Sequence, residues 1–174
     1  MRNKTVWFAA VFLLAGPGEL LASKGSSQEI KTLIEGVYTL QEWHAGEETI
    51  RPPAVDGRFV LRDGVVATIL KNWSKPDAKV SAANYGRYSL DSSGFTYSYE
   101  DATAVTETPS EAKVSHKPIF EGTRSFTVTR EPNGVRLRRT EGNIEFFFTP
   151  ELLTYSENGK VLRVWKRVKP DKQS

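Results

Sequence analysis

The feature that most limits how this chain can fold is a run of short strand signals joined by tight turns. Residues 58–62 and 65–71 flank Asp63-Gly64, a strong two-residue hairpin signal. Residues 85–90 and 95–100 flank a turn from Asp91 to Gly94. Residues 124–130 and 135–140 flank a turn from Glu131 to Gly134, and residues 144–149 follow Glu141-Gly142-Asn143. Residues 153–156 and 160–168 flank a turn from Glu157 to Gly159. Nothing between these segments is long and periodic enough for a crossover helix. Parallel strands need such crossovers, so the sheet is expected to be antiparallel. A long antiparallel meander has two edges to hide, and closing on itself removes both. The expected fold is therefore all-β: an antiparallel up-and-down β-barrel of about eight to ten strands.

Side-chain patterning agrees. Several strands carry apolar residues on both faces, as in Phe146 and Phe148 against Phe147, or Val161 and Trp165 against Leu162 and Val164. In the first strand, residues 36–43, alternation puts Tyr38 and Leu40 on one face and Val37, Thr39 and Trp43 on the other. A barrel of this size has room inside for side chains or one small ligand.

The flanks divide the chain. Arg2 and Lys4 precede an apolar run over residues 5–16, broken by Pro17-Gly18, with small residues at Ala22 and Ser23. This reads as a signal peptide over residues 1–22, because the run is short of the roughly 20 residues a membrane-spanning helix needs. The mature protein is expected to be periplasmic or secreted, with no stable membrane insertion after cleavage. Residues 23–33 read as a polar linker with room for a helical turn over 28–33, residues 34–169 as the barrel domain, and residues 170–174 as a tail. Two stretches leave the hairpin rhythm. Residues 44–56 should loop across one end, and residues 101–123 form a long segment with a short strand near 113–117, of the kind that often serves as a lid.

Composition removes several classes of function. Zero cysteines exclude disulfide scaffolds, thiolate metal sites and cysteine nucleophiles, and two histidines argue against a multi-histidine metal centre. No phosphate loop, zinc motif or nucleophile elbow occurs, so no cofactor or metal is expected. Residues 23–110 carry 9 basic and 12 acidic side chains, whereas residues 111–174 carry 13 basic and 8 acidic. A basic half can face an anionic partner or simply be solvated. With no recognition motif, nucleic acid is not an expected partner.

The ordered set of motifs resembles the bacterial lipocalin-like domain proteins. Leu33-Ile34-Glu35-Gly36-Val37-Tyr38-Thr39-Leu40 is similar to that family's Gly-x-Trp-x-Leu start, with Tyr38 where tryptophan is usual. Gly57-Arg58-Phe59-Val60-Leu61 is similar to its second strand. Val114-Ser115-His116, followed by Phe120 to Phe126 with Gly122 and Arg124, resembles its valine-x-histidine and tryptophan-x-glycine-x-x-x-arginine segment, at shorter spacing. The resemblance spans residues 33–168 and implies a calyx with a ligand cavity, without implying one activity.

Candidate site residues follow from side-chain chemistry. His116 lies in the long 101–123 segment and can act as acid, base or hydrogen-bond donor, or can tie a loop to backbone carbonyls. Glu100 and Asp101 end a strand, and as neighbours they should point to opposite faces. Arg124 alternates onto one face with Phe126 and Val128, and Arg87 onto one face with Tyr85 and Ser89. An arginine turned into a barrel needs a partner, which an acidic ligand or an internal carboxylate would supply. Tyr97, Tyr99 and Phe126 belong to an aromatic set that either packs the core or lines an apolar pocket.

Three readings stay open at this level. The first is an exported barrel binding a small hydrophobic molecule, optionally an acid, through Arg87, Tyr97, Tyr99, His116, Arg124 and Phe126. The second is a cofactor-independent isomerase, cyclase or lyase using His116 as acid or base. The third is a barrel filled by its own side chains. A ligand-sized cavity, roughly 300 Å3 or more, separates the first two from the third.

Overall fold

A computed structural model describes residues 27–91 and 94–169. The expected signal peptide and the tail over 170–174 lie outside the described residues. After helix α1 (Ser27–Ile34) come β1 (Gly36–Ala45), β2 (Glu48–Ile50), β3 (Val55–Arg62) and β4 (Val65–Asn72). Then follow β5 (Lys79–Asp91), β6 (Gly94–Glu107), β7 (Ala112–Ser115) and β8 (Thr123–Glu131). The last four are β9 (Gly134–Arg139), β10 (Ile144–Phe148), β11 (Leu152–Glu157) and β12 (Lys160–Arg167).

Ten of these strands form one closed antiparallel barrel in the order β1-β3-β4-β5-β6-β8-β9-β10-β11-β12. The seam is a β12–β1 pairing that sets Tyr38 opposite Arg167 and Leu40 opposite Trp165. The turns obey the residue chemistry. Asp63 and Gly64 hold φ of 51° and 81°, and Asn158 and Gly159 hold 51° and 74°. Positive φ at both central positions is what a hairpin twisted with its strands requires.

The inner face is almost wholly apolar. Tyr38, Leu61, Val66, Phe95, Phe126, Leu137, Phe148 and Leu153 form part of one buried cluster. Helix α1 plugs one end of this cluster. Its Ile30 and Ile34, four residues apart, lie on one face and are both buried. The end of the helix is clamped by Arg167, whose guanidinium donates to the carbonyls of Leu33 and Glu35 and, at 2.5 Å, to the Tyr38 hydroxyl. Cations suit this position because the last carbonyls of a helix have no partner within it. Tyr38 fills the place the resemblance gives to tryptophan. Its hydroxyl donates to the Ile34 carbonyl at 2.8 Å, and its ring lies 4.9 Å from the Arg167 guanidinium. Within the expected linker, the helical turn over 28–33 belongs to this plug.

Four departures from the sequence expectation have physical causes. A bulge between Leu40 and Glu42 makes Gln41 an extra residue, so Trp43 pairs with Arg163 on the inner face instead of following Val37 and Thr39 outward. A second bulge opposite Tyr85 and Gly86 makes Glu100 the extra residue, and both Glu100 and Asp101 are exposed. Strands β5 and β6 are also longer than their strand-like composition, at 13 and 14 residues. Residues 79–84 and 101–107 include Ala, Asn, Asp and Glu, which are poor strand formers alone. They pair with each other and with β4 and β7, so ladder formation decides their conformation. The 44–56 stretch likewise contains β2, paired back onto β1 around Gly46.

Candidate functional site

A cavity of about 230 Å3 opens between the inner faces of β1, β3, β4, β5, β6, β8, β10, β11 and β12. That falls short of the roughly 300 Å3 set above as the mark of a ligand-sized cavity, so the criterion is not met and only a compact ligand would fit. One wall is aromatic. Phe59 packs on Phe146 and Trp165 with ring centres 6.1 Å apart in each case, and Phe146 packs on Tyr155 at 5.3 Å. The opposite wall comes from β4 and β5, with Thr68, Leu70, Ala82 and Asn84. Ile119 lies at the edge, 62% exposed. Phe120, next to it, packs on Tyr97 and Tyr99 with ring centres 5.3 and 5.2 Å away. The long segment after β6 therefore does reach over the cavity, through these two residues.

Two arginines enter this apolar space. Arg124 on β8 stacks its guanidinium 3.6 Å from the Phe120 ring and donates a long hydrogen bond of 3.5 Å to the Tyr97 hydroxyl. Arg163 on β12 lies 4.3 Å from the Trp43 ring and 5.4 Å from that of Tyr155. The Nε of each is buried and has no hydrogen-bond partner. Among the described residues, neither makes an ion pair with a carboxylate. Burial pulls the Arg163 pKa below its ordinary value, with Tyr155, Tyr99 and the Glu157 carboxylate opposing this only in part. Rings attract a guanidinium but do not satisfy its N–H donors.

The polar remainder is small. Thr68 Oγ1 and Tyr99 hydroxyl share a buried hydrogen bond of 2.6 Å. Burial raises the pKa of Tyr97, Tyr99 and Tyr155, so all three stay neutral and keep their hydroxyl protons at ordinary pH. Asn84, only 4% exposed, has an Oδ1 with no partner.

The sequence-derived candidates separate into two groups. Tyr97, Tyr99 and Arg124 line the cavity together. Phe126 faces inward but sits in the packed core, 5.9 Å from Phe95 and 5.5 Å from Phe146 in ring centres, and does not line the space. Arg87 points outward, because Gly86 and Tyr88 take the inner face of β5, and its Nε sits 3.4 Å from Glu100. His116 is exposed beyond β7, with Nδ1 3.3 Å from Thr103 Oγ1, and does not line the cavity. Arg163 and Asn84 line the cavity without being among the sequence-derived candidates, and Trp43 lines it although strand alternation assigns it to the outer face. Arg163 was legible, since it lies two residues before Trp165 and must share its face. Trp43 was hidden by the bulge, and Asn84 lay in a stretch without strand character.

No protein-family model matches the chain, and no curated protein or solved structure matches it. The closed ten-stranded barrel is compatible with a lipocalin-like fold.

Proposed function

We propose that this chain is an exported, lipocalin-like binding protein that holds a small apolar molecule carrying an acid group. One observation carries the reading: Arg124 and Arg163 reach into one apolar cavity, each with a buried Nε that nothing in the chain satisfies. A buried guanidinium with an unused donor costs stability; the Nε of Arg167 is unused too, but Arg167 spends its other donors on the end of α1, whereas Arg124 and Arg163 turn theirs toward the cavity lining. A carboxylate accepts two parallel hydrogen bonds from a guanidinium, and in a low-dielectric site that bond is strong. The aromatic wall supplies the apolar contact, and the volume favours a molecule of about the bulk of eight waters. Export is supported by the apolar run near the N-terminus. A proton-transfer reaction has less support, because no histidine lines the cavity.

Calorimetric titration with 3-phenylpropanoate tests the proposal. Saturable one-to-one binding is expected, weakened at least tenfold in Arg163→Met and in Arg124→Met. Equal affinity for 3-phenylpropanol, which has the same ring and no acid, would refute the role given to the arginines.

A further inference from the structure

Arginines on the two faces of this barrel differ in their company. On the outer face Arg136 holds Glu131 and Glu145, Arg138 holds Glu145, and Arg87 sits 3.4 Å from Glu100. Inside, Arg124 and Arg163 line the cavity, and no carboxylate is among its described lining residues. Burial keeps the Tyr97, Tyr99 and Tyr155 hydroxyls neutral, so they do not offset that charge. Both arginines act electrostatically on Tyr99 and on Tyr155, so their charges fall on one part of the space. Arg139 adds a third charge nearby. It follows Val135 and Leu137 on the inner face of β9, opposite Phe126, and is half-buried. Its charge also reaches Tyr155, where the exposed Glu157 acts with the opposite sign. Around that hydroxyl stand three guanidiniums and one carboxylate. Like charges in a poorly hydrated space repel, and one carboxylate brought by a ligand would offset only half of the excess.

Resting on the acid-binding reading above, we propose that the ligand is a compact aromatic dianion, a dicarboxylate or a phosphate monoester, whose two negative charges match the two guanidiniums lining the cavity. The ring lies against Phe59, Phe146 and Trp165, and the anionic end lies toward Arg124 and Arg163. The Nε atoms are enclosed, so contact is made by the terminal Nη donors. Those of Arg163 make no hydrogen bond among the described residues, and Nη1 of Arg124 is held only by the long bond of 3.5 Å to Tyr97. Arg139 does not line the cavity and acts at longer range, by raising the positive potential at that wall. A space of about 230 Å3 takes one ring with its acid groups and little more. Discrimination arises because a single acid leaves one guanidinium uncompensated after displacing water from it.

Calorimetric titration of the full chain compares 3-phenylpropanoate, phenylsuccinate and phenyl phosphate. It is run at about pH 7.5, where a phosphate monoester with a second pKa of about 6 is largely doubly charged. One of the two dianions is expected to bind wild type at least tenfold more tightly than the single acid, and which one does so tells a dicarboxylate from a phosphate. The preference should shrink below threefold in Arg163→Met and in Arg124→Met, and fall at least twofold in Arg139→Gln. It should stay unchanged in Arg62→Gln, which removes a charge from the outer surface. If a methionine variant folds poorly, the wild-type comparison decides alone. Equal affinity of all three acids for wild type, or a preference that survives both methionine variants, overturns the charge matching and leaves the acid-binding reading intact. A loss in Arg62→Gln as large as in Arg163→Met overturns it too, because the preference would then follow the net charge of the whole chain. Binding of 3-phenylpropanol with no binding of any acid overturns the acid-binding reading and the dianion with it.

Discussion

Arg163→Met should make the unliganded protein more stable while weakening acid binding. Methionine keeps an unbranched stem of similar length, so contacts with Trp43 and Tyr155 are largely retained. What disappears is a guanidinium whose Nε is buried without a partner and whose pKa burial already pulls down. The penalty for an uncompensated buried ion is several kcal/mol even after relaxation. Against it stands the attraction of the two rings, about 2 kcal/mol for a desolvated cation. The difference favours the variant by about 1–3 kcal/mol. For a domain of this length each kcal/mol moves the melting temperature by roughly 2–4 °C, giving a rise of about 2–12 °C. Thermal melts followed by near-ultraviolet circular dichroism, in ligand-free buffer, measure it. Saturating 3-phenylpropanoate should then raise the melting temperature of wild type clearly more than that of the variant. A variant that melts at or below the wild-type temperature would show that Arg163 is satisfied within the barrel wall. It would then be a structural residue, and the argument for an anionic ligand would rest on Arg124 alone.

Three other outcomes follow from the packing. Gly86→Ala would place a Cβ 1.9 Å from the Ser98 carbonyl oxygen, so the β5–β6 ladder must part at its bulge. A loss of about 2–4 kcal/mol is expected in urea unfolding, and a loss under 0.5 kcal/mol would contradict the observed approach of the two backbones. Tyr88→Phe removes the hydroxyl that donates to Glu35, which also accepts from the Asp63 amide at 2.8 Å beneath the helical plug. Charge-assisted bonds of this kind contribute about 1.5–3 kcal/mol, so a lower urea midpoint with an unchanged slope is expected, and an unshifted midpoint would contradict it. Glu131 has its pKa held below its ordinary 4.5, chiefly by its hydrogen bond to Arg136. A lowered folded pKa means stability that is present above pH 4.5 and lost as pH falls through the folded value. Melting temperature should therefore fall more steeply below pH 4.5 in wild type than in Glu131→Gln, and parallel acid limbs would refute the assignment.

The barrel was legible because its information is local. Each hairpin is written in its own turn residues, as in Asp63-Gly64 and Asn158-Gly159, and antiparallel closure follows from the lack of crossovers. The site was legible only in part, because it depends on which face a residue takes, and one extra residue reverses that. The bulge at Gln41 brings Trp43 inside. The partner that Arg87 needs is Glu100 on the outer face, and two-residue alternation alone does not distinguish the outer face from the inner. Asn84 escaped notice for another reason. Its strand is held by long-range pairing with β4 and β6, which local propensity does not record.

The seam between β1 and β12 joins Tyr38 to Arg167 across 129 residues of chain. The entropy of closing so long a loop is lost before its contacts form. Every other neighbouring pair in the barrel is close in sequence, through a turn or through the segments that hold β2 and β7, but this one is not. The same Arg167 also fastens the end of α1, so sealing the base and completing the wall are one event. Until then the chain is an open sheet with two bare edges, and the cavity has no enclosing wall. The enclosed space inside this barrel therefore exists only once the final strand has docked.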